Sequence, residues 1–232
     1  MTTEAAGLGD KTVETIRRDL LAIGLERDLR SAPALGAYLK MLVRWNRTYN
    51  LTGARDADRI RIEHLLDCLS IVPALRRALP GGAPARLLDV GSGAGLPGAI
   101  LAILHPVWRV DCIDAVGKKA AFIRQVAGQL NLPNLNAIHA RVESIESSPG
   151  HTYDLITSRA FSSLRALVDL SRPLLKPDGI WMAMKGKVPT EELTELPDDV
   201  VILHVQKLDV PGSDAERCVI FLKPLYQGSQ AE

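Results

Sequence analysis

Ten consecutive residues, Asp89-Val90-Gly91-Ser92-Gly93-Ala94-Gly95-Leu96-Pro97-Gly98, constrain the fold of this chain more than any other stretch. Just before them, Arg86, Leu87 and Leu88 run into Asp89 and Val90 as a short buried strand, and after them Ala99-Ile100-Leu101-Ala102-Ile103-Leu104 suits a helix. Strand, glycine turn and helix start therefore follow one another directly. Glycines at such a turn supply torsions, or a close backbone approach, that a Cβ would block. The helix start beyond presents backbone N–H groups without intrahelical partners. A nucleotide-like ligand is the natural occupant.

The spacing narrows the choice of ligand. A dinucleotide fingerprint, G-x-G-x-x-G, needs a third glycine where this chain has Leu96, and no Lys followed by Ser or Thr closes the turn as in a phosphate-cradling loop. Asp89, at the carboxyl end of the strand, would repel pyrophosphate and suit a cation. The next strand, Arg109 to Ile113, runs into Asp114, placed where a carboxylate accepts hydrogen bonds from ribose hydroxyls in doubly wound folds. Together the D-x-G-x-G-x-G turn and the second acidic residue resemble the S-adenosylmethionine-dependent methyltransferases, whose cofactor carries a sulfonium and no phosphate. The plain alternative is a tight turn with Asp114 as a helix cap.

The rest of the chain supplies a frame for that turn. With 232 residues, it has room for one substantial domain with an appendage. Residues 1–80 read as helices: Asp10 to Leu25, a second from an N-cap at Ser31, and a third from Arg59 to Arg77 interrupted by Pro73. They form the expected helical cap. Pro80-Gly81-Gly82-Ala83-Pro84 marks a boundary, and residues 85–226 form the expected cofactor-binding domain. There strands and helices alternate: a helix from Lys118 to Leu130, strands at Leu135 to His139 and Tyr153 to Thr157, and a helix near Leu164 to Leu170. A turn at Lys176 to Gly179 leads into a strand at Ile180 to Met184, and a hairpin of Val200 to Leu208 with Glu216 to Leu222 closes the chain. The order fits an α/β fold of the Rossmann-like, seven-stranded methyltransferase type with an N-terminal helical extension.

Composition excludes several other classes. No apolar run approaches a transmembrane span, and Met1 to Asp10 does not read as a signal peptide, so a cytoplasmic protein without membrane contact is expected. Cys68, Cys112 and Cys218 have no metal-ligand spacing and read as core residues; no metal is expected. The net charge is only +1, but Lys40, Arg44, Arg47, Arg55, Arg59 and Arg61 face only Asp56 and Asp58 in their segment. That segment is either a solvated face or a docking surface for nucleic-acid phosphate.

A longer series of motifs narrows the resemblance to one family. Trp45-Asn46 with Tyr49-Asn50-Leu51-Thr52, His64-Leu65-Leu66-Asp67, Leu96-Pro97-Gly98 and Gly117-Lys118-Lys119 come in order. Phe122-Ile123-Arg124-Gln125-Val126, Arg141-Val142-Glu143, Ser158-Arg159-Ala160-Phe161 and Lys185-Gly186 follow. From about Tyr38 to Leu222 the chain resembles the small-subunit ribosomal RNA methyltransferase G family, also called glucose-inhibited division protein B. The resemblance implies methylation of N7 of a guanine in bacterial 16S rRNA, guanine-527 being the family's target, with S-adenosylhomocysteine as the spent cofactor. The RNA would be met within the small ribosomal subunit or a precursor of it. Cofactor contacts are implied at Gly91, Leu96, Val142, Glu143 and Arg159, beside Asp89, Gly93, Gly95 and Asp114 from the turn and second strand.

The residue chemistry is compatible with such a transfer. Guanine N7 has a free lone pair, so no side chain need remove a proton and none is expected to be catalytic; alignment suffices, without a covalent intermediate. The chain lacks an Asn-Pro-Pro-aromatic tetrapeptide, and no cysteine is placed for attack on a pyrimidine. Arg159 could also face guanine or phosphate. Lys118 and Lys119 oppose the macrodipole at a helix start, which favours a phosphate role; Arg124 lies on that helix, Lys185 ends the fifth strand, and His64 stands three residues before Asp67. These five are the expected substrate-side residues, with a surface ion pair as the plain reading for His64 and Asp67. A small-molecule methyltransferase with an enclosing cap, or a non-catalytic nucleoside- or RNA-binding module, remain the alternatives.

Overall fold

The computed structural model describes residues 3–79, 86–146, 152–159 and 161–225. The Pro80-to-Pro84 run, residues 85 and 226 at the expected domain limits, and Ala160 lie outside the described residues.

The chain opens with α1 (Thr3–Ala22), a 3-10 turn at Glu26–Ser31 and α2 (Ala32–Tyr49). Ser31 takes the N-cap position of α2, yet its side chain makes no capping bond; Pro33 in the first turn, where no N–H is needed, fits the helix start. The helix expected from Arg59 to Arg77 is in pieces: α3 (Ala57–Ile60), a π turn at Arg61–Leu66, α4 (Asp67–Ser70) and α5 (Val72–Ala78). The last break precedes Pro73, whose ring would meet the carbonyl four residues back and which offers no N–H. Asp56 starts α3 by accepting from the Arg59 N–H at 2.8 Å.

Beyond the helices come β1 (Arg86–Val90), α6 (Gly98–Leu104), β2 (Arg109–Asp114), α7 (Gly117–Gln129), β3 (Leu135–His139), β4 (Tyr153–Arg159) and α8 (Leu164–Ser171). They are followed by β5 (Leu175–Lys185), α9 (Thr190–Thr194), β6 (Val200–Leu208) and β7 (Arg217–Pro224). The seven strands form one sheet in the order β3-β2-β1-β4-β5-β7-β6. The first five are parallel, and β7 runs antiparallel to both its neighbours. Strand order reverses between β1 and β4, so the crevice outside their carboxyl ends is where a ligand binds in such a sheet. The turn expected at Lys176 to Gly179 lies within β5 as an irregularity: Tyr153 faces Leu175, whereas Leu155 faces Ile180.

Alternation along the strands builds two cores. Leu87, Leu155, Met182 and Phe221 point to one face, while Leu88, Ile156, Trp181 and Leu222 point to the other. The first core also holds Ile16, Leu20 and Leu35 from the N-terminal helices and all of Ala99 to Leu104 from α6. Every residue of α6 is buried. A helix apolar on all sides needs cover on all sides, and the N-terminal helices supply what the sheet cannot. Tyr38 adds a polar tie, its buried hydroxyl donating to Ala94 O of the glycine turn at 2.8 Å. The helical segment thus packs directly on the element that forms the candidate site.

Candidate active site

The turn after β1 is held from behind by Asp89. This carboxylate is fully buried, and its Oδ2 accepts from the Gly98 N–H at 2.8 Å, at the first residue of α6. Burial pushes its pKa up to about 7, with the Gly98 hydrogen bond and Arg159 opposing. Oδ1 has no hydrogen-bond partner. Asp89 therefore fastens the helix start beneath the turn rather than facing a cation across open space. In front, Ser92 N–H donates to Ile113 O at 3.0 Å and Gly93 N–H to Asp114 Oδ2 at 2.9 Å, so the turn is tied to β2.

Two of the glycines are required for different reasons. Gly93 has φ +59°, and a Cβ there would meet nothing within 4 Å, so torsion is the constraint. At Gly98 a Cβ would overlap Cys112 Sγ and come within 2.9 Å of Asp89 Oδ2, so close approach is the constraint.

A cavity of about 240 Å³ opens beside this turn, walled by Gly91, Ile113, Asp114, Val142, Glu143 and Phe161. The walls suit a nucleoside without phosphates. Ile113, Val142 and Phe161 offer apolar surface for a base, and Asp114 offers acceptor lone pairs for sugar hydroxyls. No Lys or Ser follows the turn to hold a pyrophosphate. Asp114 is 6% exposed; Oδ1 takes the Val116 N–H at 2.8 Å, and Lys119 Nζ stands 3.4 Å from Oδ2. The cofactor implied by the resemblance thus fits the residues present. Leu96 and Gly95 are buried in the turn and do not wall this cavity.

A second cavity, of about 250 Å³, lies next along the same sheet edge, with Asp67, Arg159, Met184, Lys185, Arg217 and Cys218 in its walls. Arg159 ends β4, beside β1 on one side and Met184 of β5 on the other. Its guanidinium lies 3.3 Å from Asp67 Oδ2 and donates to His64 Nδ1. Arg217 Nε lies 3.2 Å from Asp67 Oδ1. Burial raises the Asp67 pKa, and the two arginines pull it back. Burial, then Arg159, pushes His64 down to about 4, leaving a neutral imidazole whose Nε2 has no partner. His64 and Asp67 thus converge on Arg159 rather than forming a pair of their own.

The lysines expected on the substrate side have partners within the protein. Lys118 Nζ donates to Tyr49 O at the end of α2 at 2.7 Å, Lys119 approaches Asp114, and Lys185 Nζ lies 2.8 Å from Glu192 Oε2. Arg124 is exposed and has no ion pair among the described residues. Lys40, Arg44 and Arg47 are likewise exposed and line a groove of about 340 Å³ with Leu39, Val43 and Ala57. Arg61 is held by Asp19 and Arg59 by Glu63. Among the described residues no group of three or more His, Cys, Asp or Glu side chains could hold a metal, and no helix is long and apolar enough to cross a membrane.

Sequence reasoning did not single out Arg217, Ala140 or Arg141 as walls, although Arg141 stands in a quoted motif. Phe161 also walls the first cavity and was not among the expected site residues, although it stands two residues after Arg159.

A family model described as rRNA small subunit methyltransferase G matches residues 31–220. The chain belongs to this family. That span takes in both cavities and every wall residue named above. Among its relatives, the ribosomal RNA small subunit methyltransferase G of Leptothrix cholodnii is 49% identical over 211 residues, covering 91% of this chain and 95% of the relative. The protein of the same name from Methylibium petroleiphilum is 47% identical over 218 residues, covering 94% and 93%. Among solved structures, a SAM-dependent methyltransferase from Aquifex aeolicus aligns with TM-score 0.53 and 18% identity, covering 72% of this chain and 93% of that one. The tRNA methyltransferase TrmK of B. subtilis aligns with TM-score 0.51 and 12% identity, covering 66% and 64%. At these identities the solved structures show the fold, the seven-stranded methyltransferase sheet; membership of the methyltransferase G family rests on the sequence matches.

Proposed function

We propose that this chain methylates N7 of a guanine in bacterial 16S rRNA, with S-adenosylmethionine as methyl donor and S-adenosylhomocysteine as product. The observation that carries the reading is the family match across both cavities, joined to a nucleoside-sized cavity beside the glycine turn. When bound, the cofactor supplies a methyl group on a sulfonium, which guanine N7 can take with its own lone pair while no proton has to be removed. Asp114 would hold the ribose and Val142 and Glu143 the adenosine, while Gly91 would border the cofactor and Gly93, Gly95 and Leu96 would shape the turn behind it. Asp89 positions that turn. Arg159, at the end of β4 and in the wall of the second cavity, is assigned to the cofactor first, with a shared role toward the substrate.

Catalysis then rests on alignment rather than on an acid or base. Residues 1–80 act as the cap and residues 85–226 as the methyltransferase domain. His64, Lys118, Lys119, Arg124 and Lys185 are assigned to the substrate side, Lys118, Lys119 and Lys185 acting there through the partners that hold them within the protein, and the RNA is met in the small ribosomal subunit or its precursor, in the cytoplasm. The deciding experiment is transfer of labelled methyl to protein-free 16S rRNA and to unmodified 30S particles, with N7-specific cleavage to map the product. A single cleaved guanine, expected at position 527, supports the reading. Cofactor binding with no labelled RNA of either kind would move a small-molecule substrate to the front.

A further inference from the structure

We infer that the second cavity receives the target base and that Asp67 and Arg217 read its Watson–Crick edge. The inference rests on the guanine-methylating function proposed above and names the part of the site that selects the base.

Position is the first argument. β1, β4 and β5 are parallel neighbours, so the ends carrying Gly91, Arg159 and Lys185 lie side by side on one edge of the sheet. A donor in the first cavity and an acceptor in the second meet across the junction of β1 and β4. The second cavity, at about 250 Å³, has the scale of a single base rather than of a folded RNA helix.

Chemistry is the second. Met184 and Cys218 give the cavity apolar walls for the faces of a flat ring. Asp67, only 4% exposed, is held between Arg159 at 3.3 Å and Arg217 at 3.2 Å, and each of its oxygens keeps a further lone pair. Carboxylate and guanidinium side by side present an acceptor next to a donor. Guanine offers the complement, N1–H and the N2 amino group beside the O6 acceptor. Adenine offers an amino group where the guanidinium stands and no N1–H for the carboxylate. With that edge held, N7 on the imidazole edge stays free. As N7 gives up its lone pair the purine becomes cationic, and a carboxylate at N1–H strengthens its hold as the charge develops.

Convergence is the third. Asp67 comes from α4, Arg159 from β4 and Arg217 from β7, so three separate parts of the chain supply one polar wall. Lys185, which also borders the cavity, is neutralised by Glu192 at 2.8 Å and leaves the reading to the other three.

The test uses the full chain and 16S rRNA carrying either guanine or inosine at the mapped position; inosine lacks only the N2 amino group. Three variants are compared: Asp67→Asn, Arg217→Gln and Gly186→Leu. Gly186 borders the cavity, and a Cβ there would meet only Glu216 O at 3.8 Å, so a side chain can fill the mouth without disturbing the backbone. The expected result is a loss of kcat/KM of about tenfold or more in each variant, with S-adenosylhomocysteine affinity by calorimetry unchanged. The parent should prefer guanine over inosine, and Asp67→Asn should lose that preference. Should Asp67→Asn fail to fold, the other two carry the test. Wild-type rates in both Arg217→Gln and Gly186→Leu, or an unchanged guanine-to-inosine ratio in a folded Asp67→Asn, overturn the assignment. A parent that labels no guanine at all defeats the proposed function instead, so the two failures are distinct.

Discussion

Asp114 Oδ2 accepts the Gly93 N–H at 2.9 Å, so the carboxylate at the end of β2 holds the glycine turn that follows β1. Its other oxygen takes the Val116 N–H at 2.8 Å, just before α7. One side chain thus sets the spacing between a turn, a strand end and a helix start, and does so while walling the first cavity. Asp114→Ala leaves these donors without partners and removes the proposed ribose acceptor. We expect a loss of about 1–3 kcal/mol in stability and at least about tenfold in S-adenosylhomocysteine affinity, which is about 1.4 kcal/mol. Denaturant melts and calorimetry measure the two; unchanged affinity would remove Asp114 from the cofactor site.

Gly98→Ala tests the close approach behind the turn. The added methyl would overlap Cys112 Sγ and crowd Asp89 Oδ2, both fully buried. Neither can retreat into solvent, so the variant should lose about 1–3 kcal/mol. Gly93→Val acts otherwise: its Cβ meets no protein atom, but a β-branched residue at φ +59° is strained, and cofactor affinity should fall further than stability. A Gly98→Ala protein as stable as its parent would show that the turn can shift as a unit.

Tyr38→Phe isolates the tie between the helical segment and the site. The hydroxyl is buried and donates to Ala94 O at 2.8 Å, and its loss leaves that carbonyl without this partner. The expected cost is about 1 kcal/mol in stability, with weaker cofactor binding because the turn is less firmly held. A melt that shifts without any change in cofactor affinity would make the tie purely structural.

The strands and the turn were legible because their signals are local. Arg86 to Val90 and Leu135 to His139 are bounded as the sequence predicts, and in the first of them apolar residues that point to both faces sit in a covered sheet. Asp114 was legible for the same reason, as a carboxylate ending an apolar strand. Pro73 likewise signalled the break before Val72, but the π turn at Arg61–Leu66 was not legible, because it leaves no mark on hydrophobic spacing. Nor were the partners of Lys118 and Lys185, since Tyr49 and Glu192 reach them only through the fold. Arg217 at the start of β7 joins Asp67 of α4, a contact that no short-range spacing encodes.

Acid stability should depend on two histidines. His64 and His105 are each held down to about 4, by burial first and then by Arg159 and Arg76 respectively. The unfolded chain protonates them below about 6.5, so between about 6.5 and 4 it binds more protons and the histidines' contribution is lost as pH falls. Asp89, raised to about 7, and Asp67, also raised by burial, act in the opposite sense and lose stability as pH rises. The comparison that isolates the histidines is therefore variant against parent. His64→Gln with His105→Gln should gain stability relative to the parent as pH drops from 6.5 to 4. A difference independent of pH would mean that neither ring is held neutral.

Salt dependence locates the path of the RNA. Each phosphate contact displaces condensed counterions, steepening the fall of log K with log salt by about 0.7–0.9. Lys118 and Lys119 are engaged with Tyr49 O and Asp114, so replacing them by Ala should change the slope little and act through the position of α7 instead. Lys40, Arg44 and Arg47 lie at i, i+4 and i+7 of α2, on one face, exposed and without ion pairs among the described residues. Replacing all three by Ala should flatten the slope by roughly 2 while S-adenosylhomocysteine binding stays as it was. The reverse result, a flat response to the α2 triple and a large one to the α7 pair, would place the phosphate backbone over the start of α7 and return the α2 face to solvent.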